Sequence, residues 1–65
     1  MAEWKVMPTR GTSWQVVTPE GDVIQCVTDG LAIDLGTKLA HDHHGLLLVY
    51  GSDGRVLASE DFRPH

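Results

Sequence analysis

The chain has 65 residues, which is enough for one small domain with a limited core and leaves little room for an enclosed catalytic pocket. Its formal net charge is −4 and its five basic residues are scattered, so composition does not favour direct binding to nucleic acid phosphates. The single cysteine, Cys26, excludes an intramolecular disulfide. The longest apolar run, Leu46–Tyr50, is too short to span a membrane, and Glu3 and Lys5 interrupt any leader-like segment. We therefore expect a cytoplasmic protein whose residues 1–65 form a single domain.

Three short strands are predicted in the first part of the chain. The segments are Trp4–Met7, Trp14–Thr18 and Val23–Val27. Pro8 ends the first of them, because proline cannot donate a hydrogen bond within a central ladder. The second and third are joined by a turn in which Pro19 fits the second position and Gly21 the fourth. Connections this short predict an antiparallel meander.

One amphipathic helix is predicted from Thr28 to His44. Thr28 or Asp29 can cap its free N–H groups. An apolar stripe at three-and-four spacing comprises Ala32, Leu35, Gly36, Leu39, Ala40 and His43, with Leu31 extending it. The small residues in this stripe let a helix lie close to a sheet, which explains Gly36. Gly45 is predicted to take the left-handed backbone conformation that commonly ends a helix.

Two further strands are predicted after the helix, Leu46–Tyr50 and Arg55–Ser59, with a hairpin turn at Asp53-Gly54. Every residue of Leu46–Tyr50 is apolar, so both of its faces require cover, and one helix can cover only one of them. A short flexible acidic tail is expected from about residue 60. The predicted fold is α+β, in the order β-β-β-α-β-β, with one helix packed on one face of a mostly antiparallel sheet.

The order and spacing of these residues resemble a bacterial family of small proteins, the domain-of-unknown-function family 2188. The residues that carry the resemblance are Val6-x-Pro8, Trp14-x-Val16, Thr28-x-x-x-Ala32-Ile33, Leu39-Ala40, Gly45-x-Leu47-x-Val49 and Gly51-x-Asp53-Gly54-Arg55. The chain differs from the family pattern at Leu31, where the family carries an acidic or polar residue, and at Gly36, where it carries alanine. The resemblance implies the fold described above and no activity.

Two groups of residues could carry chemistry. His41 and His44 are three residues apart beside Asp42, and imidazoles at this spacing can share a metal ion, although histidines near a helix C-terminus are also favoured by the helix dipole. Cys26 could pair with a histidine as a thiolate, but an unpaired cysteine within a strand more often packs as a small apolar residue. We expect no catalytic residues and no cofactor.

The favoured hypothesis is a non-enzymatic module that forms a homodimer and binds a macromolecular partner, for instance a protein. The residues expected to form the contacts are Trp4, Trp14, Leu46, Leu48, Tyr50 and Phe62. One alternative is a nucleic-acid-associated protein that stacks bases on Trp4, Trp14 and Tyr50, or an acidic mimic of nucleic acid. A second alternative is a minor metal-binding role through the histidines.

Overall fold

The computed structural model describes residues 2–64, which form a five-stranded sheet with one helix packed across it. In chain order the elements are β1 (Glu3–Pro8), β2 (Trp14–Val17), β3 (Val23–Cys26), α1 (Asp29–Asp42), β4 (Leu46–Tyr50) and β5 (Val56–Asp61). The predicted α+β fold and its element order are confirmed. Among residues 2–64, α1 falls short of the length and hydropathy that a membrane-crossing helix needs.

The strands lie in the order β3-β2-β1-β4-β5. The predicted antiparallel meander of β1, β2 and β3 is confirmed, and β5 pairs antiparallel with β4. β4 runs parallel to β1 at the centre of the sheet. A parallel neighbour requires a crossover connection, and α1 supplies it. The same connection places the helix over one face of the sheet.

The β2–β3 and β4–β5 hairpins close with the same turn geometry. Gly21 donates its N–H to the carbonyl of Thr18 (2.9 Å), and Gly54 donates to the carbonyl of Gly51 (3.0 Å). Each glycine is the fourth residue of its turn and has a positive φ, 92° for Gly21 and 82° for Gly54. This is a turn followed by one left-handed residue, which suits glycine because it has no Cβ. The turn predictions at Pro19–Asp22 and at Asp53-Gly54 are confirmed.

The helix begins as predicted and packs through its small residues. The Thr28 hydroxyl accepts a hydrogen bond from the N–H of Leu31 (3.1 Å), which caps the helix. The predicted stripe is confirmed at Ala32, Gly36 and Ala40, which are buried against the sheet. Leu31, however, is 53% exposed. The prediction that it extends the stripe is wrong, because it lies about 100° from Ala32 around the helix axis.

Gly36 lets the helix backbone approach the core, and alanine at this position is expected to destabilise the fold. A Cβ added here would lie 2.7 Å from Cγ2 of Val6 and 3.1 Å from Cδ1 of Leu47. Overpacking of this kind costs about 1–3 kcal/mol, against a gain of about 1 kcal/mol in helix propensity. We expect Gly36→Ala to lower the free energy of unfolding by about 1 kcal/mol, measured by urea titration. A more stable variant would show that the helix does not lie this close.

The helix ends one residue earlier than the glycine prediction implies. The N–H of Gly45 donates to the carbonyl of Ala40 (2.8 Å), and that of His44 donates to His41 (3.2 Å). This hydrogen-bond pair is the Schellman motif, in which the left-handed residue precedes the last donor. His44 accordingly takes the left-handed conformation, with a φ of 53°, and the prediction for Gly45 is wrong. Gly45 is required for a different reason, since its backbone lies against the indole of Trp4.

The expected tail from about residue 60 begins later than predicted. Glu60 and Asp61 belong to β5 and pair with Leu47 and Leu46 of β4. The N–H of Phe62 then donates to the carbonyl of Gly45 (2.9 Å). Backbone pairing therefore holds the chain to the sheet as far as residue 62, because β4 extends far enough to offer it partners.

Candidate functional site

The sheet has one face that no element of the described chain covers. The helix packs on β1, β2, β3 and β4 from one side. We call the opposite side the outer face. Its apolar residues are Met7, Val17, Val23, Leu46, Leu48, Tyr50 and Val56, and its polar ones are Glu3, Lys5, Gln15, Gln25, Ser59 and Asp61. The pairing register fixes this assignment, because side chains alternate between faces along each strand.

β4 is apolar towards both sides of the sheet, as its sequence predicts. Leu47 and Val49 point to the helix and are 3% and 7% exposed. Leu46, Leu48 and Tyr50 alternate with them on the outer face and are half-buried by neighbouring side chains alone. Three of the predicted contact residues thus share one surface at the centre of the sheet. An uncovered apolar surface in this position is typical of a contact with another molecule.

Shallow hollows lie on this outer face beside the apolar residues. One, of about 240 Å³, is lined by Met7, Pro8, Tyr50 and the turn after β4. Another, of about 300 Å³, is lined by Glu3, Lys5, Val17, Thr18 and Pro19. These hollows can receive protruding side chains from a partner, and the charged residues Glu3 and Lys5 line the second of them.

The two tryptophans are not on this face. Trp4 points to the helix, is 6% exposed and stacks on the ring of His43, with ring centroids 5.4 Å apart. Trp14 is half-buried on the same side, next to the core. Trp4 is therefore mainly a core residue and is not part of the outer face, although it also lines a groove on the helix side. The proposed stacking platform of Trp4, Trp14 and Tyr50 is wrong, because Tyr50 lies on the opposite face.

Phe62 is half-buried and packs against the core beyond the end of β5. Its ring meets that of His41 edge-on, with centroids 5.4 Å apart. Next to it, Arg63 binds the carboxylate of Asp61 through Nη2 (2.6 Å). This hydrogen bond raises the pKa of the Arg63 guanidinium above its ordinary value. Phe62 therefore anchors the end of the chain through its packing against the core.

The candidate chemical groups lie at the end of α1, just after it and on β3. Nδ1 of His41 lies 3.4 Å from Oδ1 of Asp42, and both side chains are exposed. His44 occupies the left-handed position after the helix. Among residues 2–64 no three His, Cys, Asp or Glu side chains are grouped as metal ligands would be. Cys26 is half-buried on β3, opposite Trp14 and packed against the core.

A second surface was not predicted from the sequence. Exposed large apolar side chains gather where β3 forms one edge of the sheet and where the helix begins; they are Val23, Ile24, Val27 and Leu31. Beside Ile24, on the helix side, lies a groove of about 400 Å³ that Glu20, Leu39 and His43 also line. The sequence signal for this surface is the uncharged run from Val23 to Val27. This run indicates an exposed surface only because β3 is an edge strand, and the residues of β3 alone do not show its place in the sheet.

Comparison with known proteins gives no relative: no protein-family model, no curated protein and no solved structure matches the chain.

Proposed function

We propose that the protein is a small non-enzymatic binding module of the cytoplasm that forms a homodimer through its outer face and binds a macromolecular partner. The observation that carries this proposal is the outer face of β4, where Leu46, Leu48 and Tyr50 remain uncovered at the centre of the sheet. The unpaired Cys26 supports a reducing compartment. The resemblance to family 2188 supports the same architecture and a bacterial source.

A second copy of the chain is the occupant that this face fits best. A domain of this size buries only about 60% of the surface that its unfolded chain exposes, so association adds buried area that folding alone does not supply. A two-fold contact brings the same patch of each copy together, which requires a self-complementary surface. The charges of the outer face support such a contact, since Lys5 lies in a central row and Glu3 lies in the row at one end. Apolar residues of β4 then pack against their own equivalents.

A binding role also agrees with the way the chain uses its residues. The core between the helix and the sheet contains the buried side chains of Trp4, Val6, Val16 and Leu47. The apolar residues outside this core lie on open surfaces. A small domain can form a binding site from an open surface more readily than it can form an enclosed active site. The proposal therefore assigns the two apolar surfaces to macromolecular contacts.

Leu48→Lys is expected to weaken the homodimer. Leu48 lies in the middle of the outer face, opposite Lys5 of β1 and Ser59 of β5. A lysine there places a second positive charge beside Lys5 and removes an apolar contact. We expect the dimer dissociation constant to rise by about tenfold or more, measured by sedimentation equilibrium.

Leu31→Lys is the matched control, because Leu31 is an exposed leucine on the helix, away from the outer face. It should leave the dissociation constant unchanged. The proposal of a homodimer fails if the natural chain stays monomeric at millimolar concentration. The assignment to the outer face fails if Leu31→Lys weakens the dimer as much as Leu48→Lys does.

One observation supports the alternative that the protein is an acidic mimic of nucleic acid. Residues 11–37 contain Glu20, Asp22, Asp29 and Asp34 and neither lysine nor arginine. A surface of this sign suits a basic partner, which a mimic of nucleic acid would also bind. Direct stacking of bases on Trp4, Trp14 and Tyr50 has no such support, since Tyr50 lies on the opposite side of the sheet from the two tryptophans.

A further inference from the structure

We infer that the β3 edge receives an extended, basic segment of a partner protein, which adds to the sheet as a sixth strand. The inference rests on the proposed binding function and names the class of its macromolecular partner. Strand addition of this kind uses backbone hydrogen bonds for affinity and side-chain contacts for specificity. Both elements are present at β3.

The backbone of β3 offers hydrogen-bonding groups to a new strand. Thr18 donates its N–H to the carbonyl of Asp22 (2.9 Å), which makes these residues a bonded pair at the start of the β2–β3 ladder. Bonded pairs alternate along an antiparallel ladder. In the observed register Ile24 and Cys26 therefore turn their N–H and C=O groups towards β2. Val23 and Gln25 turn theirs away from the sheet, where an added strand can pair with them.

The two edges of the sheet differ in how they are protected. β5 carries Glu60 and Asp61, and its pairing with β4 is interrupted by an irregularity next to Tyr50. Charges and bulges are the features with which sheets discourage pairing at an edge. β3 has neither a charged residue nor a proline, and its register with β2 is regular. The β3 edge is therefore open to strand addition, whereas the β5 edge is blunted.

Side chains of an added strand would find an apolar groove on the helix side. The groove of about 400 Å³ lies beside Ile24 and reaches Leu39 and Trp4. The exposed side chains of Val27 and Leu31 extend this apolar surface past the end of β3 towards the start of the helix. An extended segment with alternating apolar residues would place one side of its sequence here, because successive side chains of a strand alternate in direction.

Charge decides which occupant fits this edge. Asp22 and Asp29 flank β3 in the sequence, and Glu20 lines the groove. Residues 11–37 carry no basic residue that could neutralise them. A second copy pairing at β3 would bring two such acidic regions together, which like-charge repulsion disfavours. Basic residues near the two ends of the segment would instead lie beside these carboxylates, because Asp22 precedes β3 and Asp29 follows it.

The test uses a synthetic octapeptide of alternating lysine and valine, with a fluorescent label, and follows its binding by fluorescence polarisation. Gln25→Pro removes an outward N–H but leaves the β2–β3 hydrogen bonds in place, since proline is tolerated on the free side of an edge strand. We expect this variant to bind the probe at least about tenfold more weakly. Ser59→Pro is the matched control, because Ser59 has the equivalent outward position on β5 and should bind within about twofold of the natural chain.

A second pair of variants keeps the test decisive if Gln25→Pro does not fold. Glu20 and Asp53 both occupy the third position of their turns, in the β2–β3 and β4–β5 hairpins. Glu20→Lys is expected to weaken binding of the probe several-fold, whereas Asp53→Lys, with the same change in net charge, should have little effect. Equal weakening by both variants would mean that the probe responds to net charge alone, and would overturn the inference.

Amide hydrogen exchange locates the probe on the protein. The N–H groups of Val23 and Gln25 should exchange fast in the free chain and become protected when the probe binds. Three outcomes would overturn the inference. The first is failure of the probe to bind at millimolar concentration, and the second is protection confined to β5 or the outer face. The third is protection of Val23 and Gln25 that grows as the protein concentration rises without the probe, which would assign the edge to a second copy. Leu48→Lys should still bind the probe, which separates this inference from the proposed homodimer.

Discussion

Trp4→Ala is expected to lower the free energy of unfolding by about 3–5 kcal/mol, because the indole is a buried part of the core. The ring is 6% exposed, stacks on His43 and lies against the backbone of Gly45. Its removal leaves a cavity at the junction of β1, the end of the helix and the start of β4. A loss of this size approaches the whole stability of a small domain. Thermal and urea denaturation followed by circular dichroism measure it.

Trp14→Ala is the control that separates the two tryptophans. Trp14 lies on the same side of the sheet but is half-buried, opposite the edge residue Cys26. Its truncation should cost clearly less than that of Trp4. If the two alanine variants had equal stability, or if Trp4→Ala folded normally and lost only its ability to associate, the placement of Trp4 in the core would be wrong.

Gly45→Ala is expected to destabilise the chain by about 3 kcal/mol, the upper end of the usual range for overpacking. An added Cβ would lie 2.2 Å from Cζ3 of Trp4 and 2.9 Å from the carbonyl oxygen of Ala2. The indole is held in the core and the second contact is with backbone, so neither neighbour can move cheaply. Chemical denaturation measures the change in the free energy of unfolding.

His44→Gly provides the contrast. His44 has a φ of 53°, a conformation that glycine adopts without strain. The substitution should leave stability within about 1 kcal/mol of the natural chain, because relief of backbone strain offsets the extra freedom of the unfolded state. If Gly45→Ala were harmless and His44→Gly strongly destabilising, the helix would end at Gly45 in the manner the sequence first suggests.

Local features of this fold are readable from the sequence because they depend on neighbouring residues. Gly21 and Gly54 sit at turn positions that require a positive φ, and Thr28 is followed three residues later by the N–H that it caps. The end of the helix is a harder case, because the sequence predicts a stop at Gly45 whereas His44 takes the left-handed conformation. The need for glycine at position 45 comes instead from the indole of Trp4, which is distant in sequence.

Features that depend on pairing between distant strands could not be read in this way. Alternation places Trp4 with Val6 and Leu47 with Val49, but β4 is apolar on both sides, so its sequence does not say which side the helix covers. The parallel register of β1 and β4 decides this by setting Trp4 beside Leu47. It also separates Trp4 from Tyr50, which the sequence placed in one contact set.

The same limit explains which parts of the candidate site can be predicted from the sequence. Leu46, Leu48 and Tyr50 are predicted as contacts because a strand without polar residues requires apolar neighbours on both faces. Met7 and Val17 join them only through strand pairing. The β3 edge was missed altogether, since an edge is defined by the order of strands in the sheet and not by the residues of one strand.

The most direct test of the central claim measures how a soluble paramagnetic agent broadens the methyl signals of β4 at low and high protein concentration. In the dilute protein, Leu46 and Leu48 should be broadened strongly, and Leu47 and Val49 should be shielded by the helix. At high concentration the first pair should become shielded as well, because the outer face of a second copy covers it. If Leu46 and Leu48 stay equally accessible at millimolar concentration, or if all four residues are shielded in the monomer, the outer face is not the surface through which this protein associates.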